Sequence, residues 1–287
     1  MSAATIATAD RTPGTRVPAT TVHRVSAPRV IASEWIKLRS LRSTWWTLAL
    51  TVVVMAGIST LVAWGASQGI DGEEPMTLSV ATLLTAGRGM AELTIAVLGV
   101  LVITGEYTTG QIRSSFAAVP TRVSVLGAKA LVLAAVVAVT SLLGMAVAYP
   151  ATLPWHDALG ATLDLGDGET VRILLGLPLY LVGVALLALA IGALVRRTAG
   201  AMATVLGLLL VVETVFALVP VRFFEVVSPF LPATAGQRLL LDAESMALTD
   251  AMRDAAHLTP WQGYGVMLAW VVVLGAVATV LLRRRDA

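Results

Sequence analysis

LGAKALVLAAVVAVTSLLGMAVAY, residues 126–149, is the stretch whose reading decides the fold. It carries a single charge, Lys129, near its start, and apolar side chains cover every helical face. A helix crosses the hydrocarbon core of a bilayer with about 20 mostly apolar residues. In water such a helix exposes apolar surface all round and aggregates; in lipid it closes its backbone hydrogen bonds internally and is stable. Five more runs of this kind lie at 45–65, 84–104, 171–195, 201–219 and 263–282. They predict an all-α integral membrane protein with six transmembrane helices. Composition agrees, with 57% hydrophobic residues, 13% charged residues and a mean hydropathy of +0.83. Six spans leave only an N-terminal arm, short connectors and one longer segment before the last span. The chain has no cysteine, which excludes a disulfide framework and a thiolate metal site.

The basic residues orient the spans. Fifteen of the twenty Lys and Arg residues fall on one side: seven before the first span, three between spans 2 and 3, two between spans 4 and 5, and three after span 6. Arg172, Arg222, Arg238 and Arg253 fall on the other side, and Arg88 lies within span 2. The acidic residues Asp71, Glu73, Glu74, Asp157, Asp164, Asp167 and Glu169 also gather on that other side. The positive-inside rule then places both termini in the cytoplasm. The pI near 9.3 is no argument for nucleic acid, because the basic ends serve as membrane anchors. The preference for Arg, Ala and Val over lysine, which occurs only at Lys37 and Lys129, points to a GC-rich bacterial genome and hence to a bacterial cell membrane.

Residues 1–30 read as a disordered arm without the apolar core of a signal peptide, and residues 31–287 as the six-span domain. Along and flanking residues 33–43, Ile31, Trp35, Leu38 and Trp45 define a helical stripe, with Lys37 and Arg39 off it and Arg42 interrupting it. Two readings stay open: an interfacial amphipathic helix, or a cationic flank that anchors span 1.

The most specific segment is GEYTTGQIRSSFAAVPTRVSVLGAKA, residues 105–130, between spans 2 and 3. Gly110 and Pro120 bracket a short helical stretch. Ile112 and Phe116 share one face of it, and Arg113 points elsewhere. The pattern predicts a short amphipathic cytoplasmic helix slung between two spans. Here the sequence resembles the membrane subunit of ABC-2-type (type V) ATP-binding-cassette exporters. Those proteins carry a Glu ending span 2, then a Gly, a short coupling helix, a Pro, a basic residue and a Lys opening span 3. Glu106, Gly110, Pro120, Arg122 and Lys129 stand in that order. SEWIKLRSLRSTWW (33–46) and LLRRRDA (281–287) also resemble actinobacterial members, so the resemblance covers residues 31–287.

The resemblance implies that the coupling helix and the N-terminal interfacial helix (Trp35, Lys37, Leu38, Arg39) dock on a separate ATPase. That partner would hold ATP and Mg; this chain would need no cofactor and perform no covalent chemistry. A second copy, or a similar subunit, would complete a pathway lined mainly by spans 2 and 5. No G-x-x-x-x-G-K-[ST] run occurs in the sequence.

Arg88, Glu92 and Glu213 lie within predicted spans, where an unpaired charge costs on the order of 2.5–3.5 kcal/mol. Their spacing puts them at similar depth and predicts a polar cluster in which Arg88 is set to pair with Glu92 or Glu213. Separate snorkelling or interfacial groups are the competing reading. No H-E-x-x-H or G-x-S-x-G motif occurs, and Asp164 and Asp167 read as a solvated turn. Gly176 and Pro178 are candidates to kink span 4. Four prolines between 220 and 262 predict short, broken helices at the outer interface, over 221–227 and 235–254. The expectation is a permease for an amphipathic or lipid-like substrate. An intramembrane enzyme has only Glu92 and Glu213 for its chemistry, and a membrane scaffold or sensor remains the alternative.

Overall fold

The computed structural model describes residues 26–69, 78–110, 122–251 and 256–285. Among these the structure is helical throughout, without a strand, and six helices are long and apolar enough to cross a membrane. The chain has the architecture of a multi-pass membrane protein.

Helix α1 (Ala27–Ser40) begins with Pro28 in its first turn, where proline's fixed φ suits a helix start. It starts inside the segment read as an arm. Leu41 breaks it in extended geometry, and α2 (Arg42–Ser67) follows as span 1. Span 2 is made of two pieces, α3 (Val80–Thr85) and α4 (Arg88–Thr108). Ser79 caps the first piece by accepting from the Thr82 amide at 3.1 Å. At the break, a Cβ on Gly87 would lie 2.6 Å from the Met55 backbone, so glycine lets spans 1 and 2 touch. The Thr51 and Thr94 hydroxyls bond at 2.7 Å across the same pair.

Span 3 is α5 (Arg122–Thr152). At 1.5 Å per residue it is about 46 Å long, longer than the hydrocarbon core, so its first turns reach the interface. Span 4 is α6 (Gly168–Val195), capped by Asp167, whose carboxylate accepts the Glu169 and Thr170 amides. These backbone bonds hold Asp167 below the usual carboxylate range. The helix runs unbroken through Pro178. Span 4 is the central element: it is buried over 72% of its most apolar stretch, against 28% for span 1, 22% for span 5 and 17% for span 6. Span 2 makes its most extensive contact there, and Gly99 permits it, because a Cβ at that position would meet the Ala185 carbonyl at 2.6 Å.

Span 5 is not a regular helix. It passes from α7 (Thr198–Leu206) through a π-helical segment (Gly207–Val212) into α8 (Glu213–Leu218). The chain then forms α9 (Arg222–Val227), α10 (Pro232–Gln237) and α11 (Ala243–Ala251) before span 6, α12 (Pro260–Arg285). The single helix expected over 235–254 is replaced by the end of α10, a 3-10 turn at Arg238–Leu240, and α11. Ala233, Ala235, Leu239 and Leu240 are buried, so this segment folds back against spans 4 and 6. Arg172 of span 4 fixes it by donating to the carbonyls of Leu239 and Leu241, each at 2.8 Å.

Candidate functional site

The stripe that α1 buries is Val30, Glu34 and Leu38; it shares Leu38 with the apolar stripe read in the sequence but has Val30 and Glu34 in place of Ile31 and Trp35. Trp35 is 44% exposed. Val30 packs on Val125 and Ala128 at the start of span 3. Glu34, only 3% exposed, therefore enters the interface between α1 and span 3.

There it joins both lysines of the chain. Lys129 Nζ lies 2.5 Å from Glu34 Oε2 and 2.9 Å from Glu106 Oε1. Lys37 Nζ lies 2.6 Å from Glu34 Oε1 and 3.1 Å from Glu106 Oε1. The four charges form a closed ring in which each cation touches both anions, and its net charge is zero. The side chains of Glu34, Lys129 and Glu106 are 3%, 5% and 7% exposed, and that of Lys37 is 24% exposed. Burying an isolated charge is costly, and pairing with good geometry offsets the cost. At Lys37 burial works against the charged form, but the bonds to Glu34 and the bonds and field of Glu106 outweigh it and raise its pKa.

The ring gathers three remote segments. Glu106 is in the last turn of span 2, Lys129 in the second turn of span 3, and Glu34 and Lys37 are one turn apart on α1. Glu106 Oε2 is buried and has no hydrogen-bond partner among the described residues. A cavity of about 190 Å³ lies beside the ring, lined by Leu38, Leu41, Val102, Glu106 and Lys129 among others.

Of the residues singled out in the sequence, Lys37, Glu106 and Lys129 meet here. Gly110 is exposed and turns the chain out of span 2 at φ 70°. Ile112, Arg113, Phe116 and Pro120 lie outside the described residues, as does the Arg122 side chain. Leu38 is buried beside the ring, and Arg39 is exposed. Arg196, the left-handed residue closing span 4, lies 5.5 Å from the centre of the Tyr107 ring, so the span 4–5 turn borders the same end.

A second polar cluster lies towards the other end of the bundle, and it differs from the sequence expectation. Among the described residues Arg88 makes no ion-pair contact with Glu92 or Glu213; it is half-buried, and its charge still acts on Glu92 across the gap. Glu213 instead accepts the Ala233 and Thr234 amides, each at 2.7 Å, and the Thr234 hydroxyl at 2.9 Å. Backbone donors at the start of α10 thus replace the expected cation. Glu213 stands directly after the π-helical segment, which offsets the face that follows it. Glu92 takes a long bond from Gln237 Nε2 at 3.5 Å, and Gln237 also donates to the fully buried Tyr180 hydroxyl at 3.1 Å. This network pins the folded-back segment to spans 2, 4 and 5.

Among the described residues no group of His, Cys, Asp or Glu is arranged to hold a metal ion. No model of a known protein family matches the chain, and no curated protein does.

Proposed function

We propose that the chain is the membrane permease subunit of an ATP-binding-cassette exporter of the ABC-2 type. In this reading α1 and the connector 109–121 face the cytoplasm of a bacterial cell, where a separate ATPase docks on them. The observation that carries the proposal is the ion ring. It ties both ends of the connector to α1, so a push on the connector moves span 2, span 3 and α1 together. A buried ring of four charges suits that task, since breaking one contact strands a charge and resists partial motion. The ordered run of Glu106, Gly110, Pro120, Arg122 and Lys129 supports the same reading. Two copies of the chain, or this chain and a similar subunit, would then enclose the pathway for an amphipathic or lipid-like substrate.

Co-purification tests it. The tagged chain, expressed with its chromosomal neighbours, is expected to carry an ATPase chain whose turnover changes when the permease is present. Ile112→Asp with Phe116→Asp is expected to release that ATPase while the six spans still insert. A permease that purifies without any ATPase, or an ATPase indifferent to the double change, overturns the proposal.

A further inference from the structure

A second and larger cavity adjoins the one beside the ring across Leu38. It has a volume of about 470 Å³, is walled almost wholly by apolar side chains, and lies between α1, span 1 and span 3. That size falls within the range of small-molecule sites, about 300–1,000 Å³. Its long axis is built by Leu48 and Val52 of span 1 and by Val136, Val139 and Leu143 of span 3. Ala49 and Ala135 are small, and exposed, where larger side chains would fill the groove.

Its mouth is different in kind. Trp35, Trp45 and Arg39 line it, and the Trp45 indole donates to the Arg39 carbonyl at 3.0 Å. Tryptophan and arginine at the end of a span belong to the headgroup level of a membrane. Arg39 is exposed and has no acidic partner among the described residues, whereas Lys37, two residues earlier, is neutralised in the ring. The groove is thus apolar along its length and cationic at one end. Its surroundings in a bilayer are acyl chains, so it fills with one unless protein covers it.

We infer that this groove is a binding site for one anionic phospholipid, with an acyl chain along Leu48, Val52, Val136 and Val139 and the phosphate at Arg39. The site lies outside the bundle core and shares α1 with the ion ring. A lipid seated there wedges α1 against spans 1 and 3 and makes its position depend on the anionic lipid of the membrane.

The test uses the full chain in mild detergent, stripped of lipid. Dioleoyl phosphatidylglycerol and dioleoyl phosphatidylcholine are added separately, with retained lipid counted by native mass spectrometry and melting temperature followed alongside. One phosphatidylglycerol per chain is expected to be retained, about fivefold more tightly than phosphatidylcholine, the scale of one basic residue near an anionic headgroup. Arg39→Ala is expected to erase that preference. Ala135→Trp, a change at an exposed wall position, is expected to reduce retention of both lipids while the protein stays folded. Equal retention of the two lipids by the unaltered chain overturns the inference, as does retention that neither variant changes. Displacement of phosphatidylglycerol by glycerol 1-phosphate alone would make this a phosphate site, not a lipid site. Loss of a dimer in Ala135→Trp, with no lipid retained by the unaltered chain, would make it a contact between copies.

Discussion

With Glu34 replaced by leucine, Lys129 keeps only Glu106 Oε1 and Lys37 loses its shortest contact. The buried Lys129 then has one carboxylate oxygen, which Lys37 also contacts. Breaking a buried ion pair from one side costs about 3–5 kcal/mol, mostly for the charge left behind. Glu34→Leu is therefore expected to lower the melting temperature in detergent clearly, and Glu34→Leu with Lys129→Met to recover part of the loss. A double change no better than the sum of the singles would dissolve the ring as an energetic unit. Glu213 has a different partner from the one its depth in the membrane suggests. Its coupling to Arg88 in a cycle of leucine substitutions is expected to be near zero, while Glu213→Gln with Thr234→Val couples by about 1 kcal/mol. Measurable Arg88–Glu213 coupling would contradict the bonding seen here. Neither partner choice was legible in the sequence. Glu34 sits between apolar positions that define a stripe without it, and its partner Lys129 is 95 residues away. Glu213 is satisfied mainly by backbone amides, which leave no trace in side-chain pattern.

The elements were legible to the extent that lipid alone shapes them. All six spans fall where the apolar runs lie, each a few residues longer because helices continue into capping and charged residues at the interface. What escaped was irregularity caused by packing: the break of span 2 at Gly87 against Met55, and the π-helical segment before Glu213. The segment after span 5 was read correctly as broken, since its prolines forbid one long helix, yet its folding back depends on Arg172 and Gln237, far off in sequence. On that segment α11 is latched by Arg238, which donates to both Asp250 oxygens at 2.8 and 3.0 Å, with His257 Nδ1 3.3 Å away. Burial pushes the Asp250 carboxyl up, but Arg238 and His257 outweigh it and hold it below its ordinary value of 3.8. The latch is thus fully present above that value and is lost as pH falls through the lower folded one. Hydrogen exchange in α11, taken relative to the intrinsic rate at each pH, is expected to rise below about pH 4, where ordinary carboxylates protonate. Asp250→Asn is expected to raise exchange in α11 already at neutral pH, because it leaves the buried Arg238 guanidinium without its carboxylate. Exchange in the variant that matches the unaltered chain at pH 7 would remove the latch.

At the scale of the whole molecule, six crossings, an even number, would return the chain to the side where it entered and put α1 and the end of span 6 on one face. The bundle itself is indifferent to which face that is; only charge decides it. Read from the sequence, fifteen basic residues are assigned to the α1 side of the spans against four to the other, and short-loop Lys and Arg resist translocation. The ring refines the argument, because Lys37 and Lys129 are neutralised by Glu34 and Glu106 while every remaining basic residue is an arginine. Removing both lysines from the count still leaves thirteen against four, so the bias survives their pairing. The absence of native cysteine gives a clean background for reading the outcome. Single changes Gly72→Cys, Leu165→Cys and Ser114→Cys are made in cells and treated with a membrane-impermeant thiol reagent. Positions 72 and 165 are expected to label in intact cells, and position 114 only after the membrane is opened. Labelling of position 114 alone in intact cells would place α1 and the ring outside. No cytoplasmic ATPase would then reach the connector, and the exporter proposal would fall with the orientation.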